Sequence, residues 1–446
     1  MPLHKTPGED GFPTEFYRAY GALLAPLLTE MYEDCLEAEE MHPHMRSATV
    51  SLIYKAKGSR LSWKNYRPIA VSCVEYKILA KAMQLSMDDV LQHVISPSQV
   101  GFQRGKYIGE ATALVQLLTE LCARRGQPGL LLMLDGAQAY DRVQWDWLFE
   151  CLDAMQFPAS FCRLVRLLYT QPELAIKVNG VVDTPFSVAN GLRQGCPCSP
   201  LFYLVSLQPL IDFLESSAAP EGFGVVIPGP KGDASASQEA RAVAYADDLT
   251  VCMSGFSSLA ALRVAMDLYH DAAGADTNWG KTVGLRLGTS RGLQPPSSPD
   301  FLSSIGKLAD IRWTDAGTDA VHVGCEVDIT GLPAQPTINF KSGVVVAAAG
   351  AAWSVDVDGQ QYMVPVANLT VTASRYLGIW LGGSKAVRLA WEKRVLSKMN
   401  AKLAALDDSP VKCRRLSYSL TFHLKKKKAT RPPQEGAPNC TPVSYQ

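Results

Sequence analysis

Apolar residues run up to two adjacent aspartates and resume after them in Ala242-Val243-Ala244-Tyr245-Ala246-Asp247-Asp248-Leu249-Thr250-Val251-Cys252-Met253. That pattern reads as strand, tight turn, strand. Neighbouring carboxylates at a hairpin tip repel each other, and neither can be buried without a partner. A hard divalent ion such as Mg2+ meets that need, because it takes oxygen ligands and is often held by one or two carboxylates plus substrate phosphates. The competing reading is an ordinary solvated turn, since Asp is common in turns.

A third acid comes from another part of the chain. Leu130 to Leu134 is an unbroken apolar run, as expected of a buried central strand, and it ends on Asp135. A helix is expected to begin near Tyr140 to Arg142, where Asp141 suits the helix dipole. If this strand and the aspartate hairpin are neighbours in one sheet, Asp135, Asp247 and Asp248 converge from two directions. Such a set can hold two divalent ions roughly 3.5–4 Å apart, the arrangement used for in-line phosphoryl transfer.

The remaining chain limits what could surround that site. At 446 residues, 47% apolar and 19% charged, it has room for two or three domains with substantial cores. Formal net charge is zero, so only local basic clusters can argue for a nucleic-acid partner. One cluster, Lys55, Lys57, Arg60 and Lys64, lies in a loop between β-type runs Ala48 to Tyr54 and Arg67 to Ser72. It can lay cations on phosphate oxygens, or be a solvated hairpin. The eleven cysteines include no Cys-x-x-Cys pair, which disfavours zinc and suits reduced thiols. No segment has the length of a membrane span and the first residues lack a signal peptide's apolar core.

Along the chain, a helix is expected from Thr14, with Phe16, Tyr20, Leu23, Leu24, Leu27 and Leu28 as its apolar face. Asn179-Gly180 between two β-like runs signals a two-residue hairpin. Gly191 and Gly195 mark a tight loop carrying Gln194, and a buried helix should follow from Leu201 to Leu214. From Thr289 to about Thr372 short β-like runs alternate with turns and helical periodicity is absent. The basic block Lys425 to Lys428 opens a tail of low hydrophobicity that is expected to be disordered.

Read together, the order of motifs resembles the reverse transcriptases of non-LTR (LINE-class) retrotransposons. The residues that carry it are GEDGFPTEFY, NYRPIAVSCVEYKILAKAM, ISPSQVGFQRGK, LDGAQAYDRVQWDWL, VNG with NGLRQGCPCSPLFYLV, YADD, NWGKT and RYLGIWLG. This resemblance implies an α+β right-hand polymerase fold with fingers and palm (an antiparallel sheet with packed helices) and a partial thumb. It divides the chain into an N-terminal fingers extension (1–45), fingers and palm (46–288), an atypical insertion (289–372), a primer-grip-like hairpin (373–383), partial thumb (384–424) and tail (425–446).

Roles follow from the resemblance residue by residue. Asp135, Asp247 and Asp248 match the metal-binding catalytic triad, with two Mg2+ ions as cofactors. Tyr140 matches the aromatic gate beneath the incoming sugar. Lys55 (with Lys57 as competitor) and Arg67 match contacts to the triphosphate, and Gln194 with Gly195 the loop near the incoming base. Lys281 resembles the residue that protonates the pyrophosphate leaving group. Arg104, Tyr245, Tyr376, Leu377 and Gly378 match template and primer contacts. The implied partners are an RNA template, a DNA primer and deoxynucleoside triphosphates, with no membrane.

Several positions depart from the family pattern: Gly136, Gln138, Lys106, Cys198 and above all the long segment 289–372. The resemblance implies a piece of a longer element polyprotein, intracellular and nuclear in its work. The competing expectation is a catalytically silent remnant that only binds nucleic acid.

Overall fold

The apolar run of residues 130–134 forms the middle of a five-stranded sheet in the computed structural model. The structure describes residues 1–315 apart from 57–58, 217–218, 220–221 and 229–236, and beyond them the strands within 326–381 named below. The central strand Pro128–Leu134 pairs antiparallel with the hairpin strand Asp248–Met253 on one side and with Val283–Gly288 on the other. Ala242–Tyr245 closes the hairpin edge, and Arg312–Asp315 runs parallel to Val283–Gly288 at the opposite edge.

Both faces of this sheet are covered, which is why its central strand shows no polar alternation. Leu130, Leu132 and Leu134 point into the larger core, together with Leu249, Val251 and Met253. That core is filled by the helices Val74–Val94, Trp145–Ala154, Ala159–Leu168, Ser199–Glu215 and Ser258–Ala273. Leu131, Val243, Cys252, Leu285 and Leu287 point the other way, against the helix Ile108–Arg125. Each fully buried leucine contributes roughly 2 kcal/mol, so the register of the three central strands is strongly specified. The eight described cysteines are all buried and unpaired.

A second sheet lies earlier in the chain. Ser47–Tyr54 pairs antiparallel with Tyr66–Ser72 and parallel with Glu173–Val178. The last of these turns back at Asn179-Gly180 into Val181–Val182, with both turn residues at positive φ as a type I′ hairpin requires. Strands Glu326–Ile329, Ser342–Ala349, Ala352–Val357, Gln360–Pro365 and Leu369–Val371 form a third, separate sheet. Ser374–Tyr376 pairs with Ile379–Leu381. Residues 1–383 form one compact unit and 384–446 another, which lies outside the described residues together with the expected thumb and tail.

Three expectations need correction. The N-terminal helix is two helices, Thr14–Ala19 and Gly21–Glu37, broken at Tyr20. Its apolar stripe does not face inward: Tyr20, Leu23 and Leu27 are exposed, while Tyr17 and Cys35 make the buried contacts. The stretch after Thr289 is not free of helix, because Ser298 caps a short one over Pro299–Ile305. It also supplies the sheet strand Arg312–Asp315, whose Asp315 meets buried Arg286 at 2.6 Å. Periodicity is unreadable in so short a helix, and the ion pair is a contact between distant residues. Third, the helix after Asp135 is split into Ala139–Arg142 and Trp145–Ala154.

Candidate active site

The hairpin pairing places Asp248 across from Tyr245, so Ala246 and Asp247 form the two-residue turn. The pairing of Leu249 with Leu134 continues one step to set Asp248 opposite Asp135. The register therefore brings three aspartates to the end of the central strand, although their carboxylate oxygens do not all lie within 4.8 Å of one another. Asp247 and Asp248 are both less acidic than an ordinary aspartate. Burial by surrounding groups and then the charges of Asp247 and Asp135 push Asp248 up to about 6. Asp247 is raised by burial and by the Asp135 charge, against a backbone hydrogen bond that lowers it. Both side chains nevertheless keep an open face to solvent.

One cation already answers them. Lys281 Nζ lies 3.3 Å from Asp135 Oδ2. Its loop is laced to the end of the central strand: Asn278 N–H donates to Asp135 O at 2.7 Å and Ala137 N–H donates to Asp276 O at 2.8 Å. Sequence reasoning singled out Lys281 but not the residues that carry it there, since loop–strand hydrogen bonds leave no pattern. An oxygen-only donor set that repels itself and holds one exposed lysine suits a hard divalent ion. By donor type the three aspartates suit such a group, without their oxygens being drawn into one tight cluster.

Tyr140 lies beside this cluster. Its ring stacks flat on buried Tyr203, with centroids 5.0 Å apart and planes 13° from parallel. Burial and then the charge of Asp247 raise its phenol above the ordinary range. Leu192 N–H donates to Tyr140 O at 2.7 Å, which ties the glycine loop to the same turn. Within that loop Gln194 Nε2 donates to Asp141 Oδ1 at 2.8 Å, and Ala70 N–H donates to Gln194 O at 2.8 Å. Gly195 has φ +124°, and a Cβ there would fall 2.6 Å from Ala70 O. Only glycine fits that approach to the neighbouring strand.

Asp141 was explicable as a helix-dipole residue, but its side chain is occupied by Gln194. Burial raises its pKa, while Gln194 and the nearby Lys55 charge lower it. Lys55 therefore lies within electrostatic reach of the site, with its ammonium on Lys64 O at 2.9 Å. Its competitor Lys57 lies outside the described residues. Arg67 is exposed on Tyr66–Ser72, opposite Ile53. Arg104 is exposed and meets exposed Asp89 at 3.5 Å. Tyr245 stacks on Phe102 at 6.4 Å. Tyr376 belongs to the strand Ser374–Tyr376, and Leu377 and Gly378 lie outside the described residues.

Among the described residues no helix is long and apolar enough to cross a membrane. Residues 53–379 match the family model described as reverse transcriptase (RNA-dependent DNA polymerase). The chain is 30% identical over 304 residues to the Xenopus laevis "Transposon TX1 uncharacterized 149 kDa protein", a match covering 68% of this chain and 22% of that protein. It is also similar to a solved structure of apo telomerase from Candida tropicalis truncated from its C-terminal domain, at 14% identity and TM-score 0.39, over 68% of this chain and 56% of that one.

Proposed function

The chain belongs to the reverse transcriptase family, and from that premise we propose that it is an RNA-directed DNA polymerase of a non-LTR retrotransposon, acting in the nucleus. Its reaction is extension of a DNA primer 3′-hydroxyl on an RNA template with deoxynucleoside triphosphates. The observation that carries this reading is the strand register that brings Asp135 opposite Asp248 at the tip of the Asp247 turn.

In this mechanism Asp135, Asp247 and Asp248 would hold two Mg2+ ions, which supply charge neutralisation for the attacking hydroxyl and the leaving phosphates. The rest is positioning. The face of Tyr140, braced by Tyr203, closes the space beneath the sugar and excludes a ribose 2′-hydroxyl by clash. Gln194, anchored through its amide N–H to Asp141, presents its carbonyl oxygen to the nucleotide. A carboxylate only accepts hydrogen bonds, so the amide N–H2 must face it and the acceptor must face away. Lys281, whose ammonium lies 3.3 Å from Asp135, would donate its proton to the departing pyrophosphate. Lys55 and Arg67 would contact the triphosphate, and Arg104 and Tyr245 the template and primer.

Primer extension on an RNA template with Mg2+ tests the reading. The wild-type chain is expected to incorporate deoxynucleotides and the Asp247→Ala protein to be inactive. Equal incorporation by the two would refute it.

A further inference from the structure

The turn that carries Asp247 contains a conformational problem. Ala246, its first residue, has φ +56°. A residue with a Cβ costs roughly 1–2 kcal/mol in that left-handed conformation, and glycine is the usual occupant. As a turn residue it also lies beyond the last hydrogen-bonded pair, Tyr245 with Asp248, so the hairpin ladder does not hold it.

A side chain 147 residues earlier meets both needs. Gln99 is 1% exposed. Its Oε1 accepts from Ala246 N–H at 2.8 Å, and its Nε2 donates to Ala246 O at 3.1 Å. One amide therefore grips the peptide groups on both sides of the left-handed residue. The same Oε1 accepts from Gly101 N–H at 2.8 Å, which fixes the amide's orientation. Around this contact Val100 N–H donates to Ala244 O at 2.8 Å and Ala244 N–H to Ser98 O at 2.9 Å, so the 98–101 segment runs as a short parallel partner to the hairpin edge. Gly101 lets it lie that close: a Cβ there would fall 2.3 Å from Ala246 N. Gln103 is buried too, and its amide donates to Gln99 O.

We infer that Gln99 is a positioning residue for catalysis, a buried amide clamp that locks the Ala246 peptide groups and so aims the Asp247 carboxylate. Its role rests on the polymerase reading, because the clamp matters to chemistry only if Asp247 does. A simple packing role would need neither the donor nor the acceptor aimed at one residue. The clamp acts through backbone geometry, and displacement of a reacting group by about 1 Å can cost on the order of 100-fold in rate.

The test uses the full chain with Gln99→Met, Gln99→Glu and Gly101→Ala. Methionine keeps the volume without hydrogen bonds, and glutamate keeps the acceptor while losing the donor. Two readouts are taken: steady-state primer extension and backbone amide exchange without metal. Gln99→Met is expected to lower kcat about 100-fold with KM for the deoxynucleotide little changed. It should also lose exchange protection at the Ala246 amide while Ala244 stays protected through Ser98. Gln99→Glu should retain Ala246 protection and an intermediate kcat. If Gln99→Met does not fold, Gln99→Glu and Gly101→Ala decide the matter by the same readouts. Gly101→Ala, whose Cβ would fall 2.3 Å from Ala246 N, should lose Ala246 protection and lower kcat as Gln99→Met does. Wild-type kcat in a folded variant whose Ala246 amide has lost protection would overturn the inference, as would unaltered Ala246 protection in Gln99→Met or Gly101→Ala. If the wild type itself extends no primer, the polymerase reading fails, whereas the exchange measurements still show whether the clamp exists.

Discussion

Replacing Asp248 by Asn should stabilise the metal-free protein. In the folded chain the Asp248 carboxyl titrates at about 6, against an ordinary value of 3.8. Keeping it ionised above that range therefore works against folding. Taken in full, such a rise corresponds to about 3 kcal/mol. Because the residue is open to solvent, screening reduces this to about 1 kcal/mol. The sign follows from linkage: between the unfolded and folded pKa values the native state binds more protons, so stability is lost as pH rises through about 6. Asp248→Asn removes that loss. Denaturant unfolding in EDTA is expected to show the variant ahead by about 1 kcal/mol at pH 7.5 and the gap shrinking toward pH 5. Adding Mg2+ should then favour the wild type, since binding to the folded state stabilises it by mass action. A variant less stable than the wild type at pH 7.5, or a gap that does not change with pH, would refute the claim that burial and the neighbouring carboxylates raise Asp248.

Three further outcomes are expected. Tyr140→Val should weaken discrimination against ribonucleotides by about tenfold or more, measured by incorporation from mixed nucleotide pools. Asp141→Leu frees the Gln194 amide to rotate, so KM for the deoxynucleotide should rise several-fold with a smaller change in kcat, read from steady-state extension. Gly195→Ala forces a Cβ against Ala70 O, and should cost about 1–3 kcal/mol of stability by thermal or denaturant unfolding.

Much of the site was legible in the sequence because its signals are local. The apolar run ending in Asp135, the two aspartates of the hairpin and the Asn179-Gly180 turn each declare their geometry within a few residues. What stayed hidden was long-range and polar. Nothing in the pattern around Gln99 says that its amide reaches Ala246, and nothing around Asp141 says that Gln194 occupies it. The stripe of Tyr20, Leu23 and Leu27 misled for the opposite reason: its spacing was helical, but a helical stripe does not say which side faces the core. Arg312–Asp315 was missed because a four-residue strand from an atypical segment has too little pattern to announce a partner.

That last strand bears on modularity. A segment merely inserted after residue 288 would be expected to tolerate excision. Here the boundary cannot be drawn at residue 289. Removing everything beyond it would bare the hydrogen-bonding edge of Val283–Gly288 and strip Arg286, only 4% exposed, of Asp315 and of the Leu293 carbonyl it donates to at 2.6 Å. An uncompensated buried guanidinium costs about 3–5 kcal/mol, a large share of what holds a domain folded. The near end of the 289–372 segment is part of the central sheet, and any minimal version of this chain must keep residues through Asp315.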